Sequence, residues 1–164
     1  MWLAAIFIII GIASRLIPHV PNFSPLVAVA LFSGVYWKKP YGYLLPLSIY
    51  IISDLIIGTH NTMAFTWLSI IMIYGLGTFL AKKRTVVTTG FYAIISSVLF
   101  FVVTNLGVWM MGWYPPTLEG LSACFTYAIP FFRTSLAANL VYVVVLFGSY
   151  EYFSSRVKLT KATA

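Results

Sequence analysis

Residues 82–110 read KKRTVVTTGFYAIISSVLFFVVTNLGVWM. Three consecutive cations are followed by a run, Val86 to Met110, that carries no charge. A bilayer is crossed by about 20 apolar residues in helical form. Hydrocarbon offers no water to backbone amides, so such a run folds as a helix that satisfies its own polar groups. The basic triplet also orients it, because short loops rich in Lys and Arg stay in the cytoplasm.

The rest of the chain repeats this pattern. Its 164 residues include ten basic and three acidic ones, 61% are hydrophobic and 8% charged, and the mean hydropathy is +0.96. A soluble domain carries about 25% charged residues to clothe its surface. Disorder, a disulfide scaffold and an ordinary soluble domain are therefore excluded, and Cys124, being alone, makes no internal disulfide. At this length one domain, 1–164, is expected.

Apolar segments run over 2–17, 24–37, 41–58, 63–81, 86–110 and 131–153, with a short apolar helix at 120–129 stopped by Pro130. Leu3 to Ile10 lacks a basic flank and a small-residue cleavage site, so it reads as a retained helix rather than a signal peptide. Ser24 and Pro25 stand as N-cap and first-turn proline of the second segment. That segment is short for a span, so Pro21 to Pro25 are expected to enter the membrane as extended chain buried by protein. Lys38 and Lys39, then Lys82, Lys83 and Arg84, then Arg156, Lys158 and Lys161 all fall on one side. The expectation is an all-α integral membrane protein of six transmembrane helices, in the inner (plasma) membrane with both termini cytoplasmic. The pairs Ala30/Gly34, Gly77/Ala81 and Ala93/Ser97 allow close helix approach and are read as packing within the bundle.

The net charge of +7 then belongs to the cytoplasmic side, where it attracts anionic lipid headgroups; no nucleic-acid partner is expected. The outer half holds Arg15 and Arg133 against Asp54 and Glu119, which cancel. Charge inside a bilayer is costly and normally faces protein or a water-filled cavity. Arg15 lies about one turn from the outer end of span one and Asp54 about one turn from the outer end of span three. Arg133 starts span six, while Asn105 and Asn139 are assigned to the outer halves of spans five and six. Asn22, His19, His60 and Asn61 sit in outer loops with Trp109, Trp113 and Tyr114 close by. Two readings follow: an Arg15–Asp54 structural pair with Arg133 reaching the interface, or a ligand cavity open to the outside. The cytoplasmic half shows little comparable.

Enzyme signals are weak. Acid–base catalysis asks for paired carboxylates or a His–carboxylate couple, and no GxSxG, Walker or GxGxxG pattern is present. No protein-only metal site and no cofactor are expected, because His19 and His60 lack any paired-ligand spacing. Cys124 reads as a small apolar packing residue.

The pattern Asn22-Phe23-Ser24-Pro25, Ala28 to Gly34, Pro46 and Ser53-Asp54-Leu55-Ile56-Ile57-Gly58 resembles the S-components, the substrate-binding proteins of energy-coupling factor (ECF) transporters. Asn105-Leu106-Gly107-Val108-Trp109, Tyr114-Pro115, Gly120-Leu121, Cys124 and Ile129-Pro130-Phe131-Phe132 fit the same group, closest to its little-characterised small members. The resemblance implies six helices, a vitamin or cofactor pocket near the outer face, and uptake driven by a separate ATPase module. S-components that dock on such a module commonly carry AxxxA on helix one; here Ala5 is followed by Ile9 and Ala13 by Ile17, which leaves a solitary protein equally open. Some solitary relatives handle cobalamin, for which Cys124 is a candidate cobalt ligand.

The leading expectation is a binding and uptake protein for a vitamin-like molecule. Trp109, Trp113 and Tyr114 would stack on its ring, Arg15 or Arg133 would meet a carboxylate or phosphate, and His60 and Asn61 would supply hydrogen bonds. The alternatives are an accessory or scaffold subunit of a membrane complex, and an intramembrane enzyme using Asp54 or Glu119.

Overall fold

The computed structural model describes residues 9, 11–17 and 20–162, with side chains through 155. His19, most of the 2–17 segment and the side chains of Arg156, Lys158 and Lys161 lie outside the described residues. Among those described there are six helices and no strand. They are α1, described over 11–16, then α2 (Leu26–Tyr36), α3 (Tyr41–Ile57), α4 (Met63–Leu80), α5 (Val86–Met110) and α6 (Leu118–Ala162). Met63–Lys83, Val86–Met110 and Leu118–Ser155 are long and apolar enough to cross a membrane. Large apolar side chains such as Leu55, Val86 and Val144 are more than two-thirds exposed, as suits a lipid surround.

The bundle is built around the 11-residue α2. Every residue of α2 from Leu26 to Gly34 is buried, and α2 touches α3, α4, α5 and α6. A helix apolar on all sides belongs in the middle of a bundle. Its closest neighbour is α4, and the crossing is made by glycines. A Cβ on Gly34 would come within 2.2 Å of the Tyr74 carbonyl oxygen and 2.8 Å of Gly77 Cα, so the two backbones lie in contact. Two of the small-residue pairs in the sequence thus meet each other. The third, Ala93/Ser97, faces α6: Asn139 Nδ2 donates to the Ala93 carbonyl and to Ser97 Oγ, both at 2.8 Å.

Helix starts follow local chemistry. α5 begins at a capping box, in which the Thr88 amide donates to Thr85 Oγ1 at 3.1 Å and the Thr85 amide to Thr88 Oγ1 at 2.7 Å. α2 departs from expectation. Pro25 itself is the N-cap, with helical φ and ψ and no side-chain cap bond, and the Val29 amide donates to its carbonyl. Ser24 stands one residue too early to reach the first-turn amides, and its hydroxyl is buried without a partner.

The end of the molecule is also different. The break expected at Pro130 is absent: α6 runs unbroken for 45 residues, merging the short 120–129 helix with the 131–153 segment and continuing to Ala162. Proline removes one amide donor, a loss tolerated in long apolar helices where neighbouring groups readjust. At about 1.5 Å per residue, α6 is about 68 Å long, more than twice the roughly 30 Å hydrocarbon thickness.

Loops collect at two ends. One end carries Lys38, Lys39 and Lys82 to Arg84 and is called the basic end; the other carries the turns at 20–25, 58–62 and 111–117. At the basic end, Phe32, Tyr36, Phe147 and Tyr150 form an aromatic cluster with centroid distances of 3.9 to 5.8 Å. Glu151 joins it to the α4–α5 connection by pairing with Arg84, and Tyr36 Oη donates to Glu151 Oε1 at 2.9 Å. The basic end is therefore held together by a polar and aromatic network.

Candidate functional site

An 11-residue α2 is about 16 Å long, while α4 and α5 beside it have 18 and 25 residues. The centre of the bundle is therefore unfilled at the end away from the basic loops. The chain 20–25 turns across this space, with Asn22 in the left-handed region at φ 62°. Beneath it lies a cavity of about 360 Å³. Every helix contributes to its wall: Arg15 from α1, Val27 from α2, Tyr50 from α3, Thr66 from α4, Thr104 from α5 and Ser135 from α6. Asn22, Ser24 and His60 close it from the loops, and Ile57 and Phe100 complete the wall. A smaller cavity of about 190 Å³ adjoins it, sharing Asn22, Phe100, Thr104 and Ser135 and adding Asn105, Phe101, Phe131 and Phe132.

Arg15 is the only cation lining either cavity among the described residues, and it is firmly held. Its Nη1 lies 2.6 Å from Asp54 Oδ1 and donates to Ser53 Oγ at 2.7 Å and to the Tyr50 carbonyl at 3.4 Å. Its guanidinium carbon stands 4.5 Å from the centre of the Tyr50 ring. The Asp54 contact is a close ion pair. Oδ2 accepts from Trp67 Nε1 at 2.8 Å. Among the described residues the ion pair and hydrogen bonds of Arg15 all run through Nη1, so its other nitrogens are the ones left for the cavity that Arg15 lines. Around them stand His60, whose Nδ1 lies 2.9 Å from Thr62 Oγ1, and the orphan Ser24 hydroxyl. A buried polar atom with no partner marks a place for a ligand group or a water.

Four of the residues singled out from the sequence line this space: Arg15, Asn22, His60 and Asn105. Asp54 does not line it; it lies behind Arg15, 1% exposed, and positions the guanidinium. Asn61 and Trp113 meet each other instead, Trp113 Nε1 donating to Asn61 Oδ1 at 3.4 Å on the surface. Trp109 Nε1 donates to the Pro115 carbonyl at 3.0 Å, and Tyr114 is half-buried in the same turn. The expected aromatic stack is thus a loop brace outside both cavities.

Arg133 is exposed on α6, consistent with reaching an interface. Cys124 is 2% exposed and donates its thiol to the Asn105 carbonyl at 3.4 Å, so it packs α6 on α5 and offers no sulfur to the cavities. Asn139 is not in the outer half. Its partners Ala93 and Ser97 lie in the half of α5 nearer the basic end, because α6 starts at Leu118, more than three turns before Pro130. Among the described residues no three His, Cys, Asp or Glu side chains are grouped to hold a metal.

The aromatic walls, Phe100, Phe101, Phe131 and Phe132, and the hydroxyls of Ser24, Thr66, Thr104 and Ser135 were missed. Phe100 and Thr104 are four apart, as are Phe131 and Ser135, so each pair shares one helix face. That spacing was the available signal. Hydroxyls hide in apolar helices because they bond their own backbone, as Thr104 Oγ1 does to the Phe100 carbonyl at 2.7 Å.

The chain belongs to DUF6580, a family of unknown function. The family's model matches residues 1–162, and so takes in every element that lines the cavities. No curated protein and no solved structure matches the chain. What the protein does has to be argued from the site.

Proposed function

We propose that the protein is a membrane-embedded binding and uptake protein for a small vitamin- or cofactor-like molecule, held in the cavity above α2. In this reading all six helices span the inner (plasma) membrane. The basic end and both termini face the cytoplasm, as the positive-inside rule directs, and the cavity faces out. The resemblance to ECF transporter S-components belongs to the same proposal, as does an energising ATPase module that acts on this or another partner.

The observation that carries it is the pairing of a half-spent arginine with an orphan hydroxyl inside a cavity to which every helix contributes. Binding sites for small molecules combine apolar walls with a few placed polar groups, in volumes of about 300–1,000 Å³. Arg15 would meet a carboxylate or phosphate, Ser24 and Thr104 would bond polar ring substituents, and Phe100, Phe101, Phe131 and Phe132 would hold a planar apolar body. A small ring-bearing anion suits this space better than a corrinoid, since Cys124 points no thiol into it. An enzyme is not favoured: Asp54 is engaged by Arg15 and Trp67, and Glu119 is exposed at the start of α6, so no acid–base couple faces the cavity.

The test is native mass spectrometry of the detergent-purified protein, followed by titration with any molecule that co-purifies. Wild type should retain a small anion, and Arg15→Gln and Thr104→Val should each release it. Wild type that retains nothing from cells or extracts, or binding indifferent to both variants, would sink the proposal.

A further inference from the structure

A third cavity lies at the basic end, between the first turns of α5 and the facing stretch of α6. Its volume is about 620 Å³. The walls are apolar, made by Val86, Leu140, Val143, Val144 and Phe147, and are notched by Gly90 and Gly148. A Cβ built on either glycine meets nothing within 4 Å. These notches therefore open onto empty space, unlike Gly34 and Gly77, whose surroundings are filled by another backbone. Val86 and Val144, at 91% and 72% exposure, form the open lip, so the groove faces the outside of the bundle and not its core.

One end of the groove is polar, formed by Arg84, Thr85 and Glu151. Glu151 is engaged there by Arg84 and by the Tyr36 hydroxyl. Lys82 and Lys83 immediately precede Arg84 and take no part in an ion pair among the described residues; Lys82 Nζ rests 5.0 Å from the Phe79 ring centre. The first amides of α5 beyond its capping box lack intrahelical acceptors and add positive potential at the same place. An apolar slot open to the bundle's exterior, with Arg84 at one mouth and Lys82 and Lys83 next to it in the chain, matches an acyl chain ending in an anionic headgroup.

We propose that this groove binds one anionic phospholipid of the surrounding leaflet, with an acyl chain over Gly90 and Gly148 and its phosphate at Lys82, Lys83 and the first turn of α5. The site is separate from the cavity above α2 and stands whether or not that cavity takes a vitamin-like ligand.

The experiment titrates the full-length protein in detergent with phosphatidylglycerol or phosphatidylcholine of identical acyl chains, read by native mass spectrometry. Each basic side chain at an anionic surface favours binding by about fivefold, so phosphatidylglycerol should be retained at least about fivefold better than phosphatidylcholine. Lys82→Gln with Lys83→Gln should erase that preference while leaving weak binding of both lipids. Gly90→Leu with Gly148→Leu fills the slot and should abolish retention of both. If that variant is not monodisperse and helical, Val144→Trp blocks the open lip and serves in its place. Equal retention of the two lipids by wild type overturns the proposal, as does unchanged retention in a folded slot variant. So does a wild-type mass of two chains that the slot variant reduces to one, which would give the groove to a second copy.

Discussion

Replacing Asp54 and Arg15 by leucine, singly and together, separates a structural ion pair from a chance approach. The two charges stand 2.6 Å apart with side chains 2% and 20% exposed. At an effective dielectric of about 20 their gross attraction is about 6 kcal/mol, largely offset by the cost of removing both from water. Losing one partner leaves the other charge stranded, which costs about 3–5 kcal/mol in a buried pair. Asp54→Leu falls at the low end, about 3 kcal/mol, because Arg15 keeps Ser53 and a wet cavity to face. Arg15→Leu costs a similar amount, because Asp54 keeps the hydrogen bond from Trp67 Nε1. The double variant loses the Trp67 acceptor and the stack on Tyr50 but strands no charge, so it should cost about 3 kcal/mol and no more than either single variant. The cycle then yields a coupling of about 3 kcal/mol, at the top of the range for contacting residues. Reversible unfolding in mixed detergent micelles, followed by tryptophan fluorescence, measures it; Trp67 on Asp54 is a local reporter. A surface pair would fade at about 1 M salt, whereas this one should keep most of its coupling. Additive single effects, with coupling under about 0.5 kcal/mol, would refute the pair and the positioning of Arg15 with it.

Three further outcomes are expected. Gly34→Leu should destabilise the bundle by 3 kcal/mol or more, since its Cβ would meet backbone at 2.2 Å that has no room to yield, whereas Gly75→Ala, with nothing within 4 Å, should be neutral or stabilise by up to about 1 kcal/mol; the same unfolding assay compares them. Ser24→Ala should leave stability unchanged or raise it by about 1 kcal/mol, because it deletes a buried hydroxyl without a partner, and should weaken the bound molecule as measured by calorimetry. Trp113→Ala should leave ligand affinity unchanged, since Trp113 is 68% exposed and bonded to Asn61 outside the cavities; a loss of affinity beyond about tenfold, or about 1.4 kcal/mol, would move the site to the outer loops.

Much of the helical plan was legible because hydropathy and length act locally. The uncharged run after Lys82 to Arg84 is α5 to the residue, and the segments at 41–58 and 63–81 are α3 and α4 within a residue. Pro130 misled because a single lost amide bond does not stop a helix held by its neighbours. Arg15 and Asp54 were recognisable as costly charges, and their depth from the same end allowed a pair to be foreseen. Asn139 was misplaced because α6 starts earlier than Pro130 suggested, which slides every later residue toward the basic end.

The sequence by itself determined that the chain is helical and apolar, where the loops other than the break expected at Pro130 fall and which end collects the cations, because these depend on the transfer of short segments out of water. Only the tertiary structure decided that the 11-residue α2 lies at the centre, with Gly34 and Gly77 letting it dock on α4. That single packing choice leaves the space above Leu26 unfilled. It turns Ser24 from a helix cap into an unpartnered hydroxyl and aims Thr104 and Ser135, rather than Trp113 and Arg133, at the void. Which side of a helix faces a cavity depends on rotation against all of its neighbours at once, and no local run of residues encodes that.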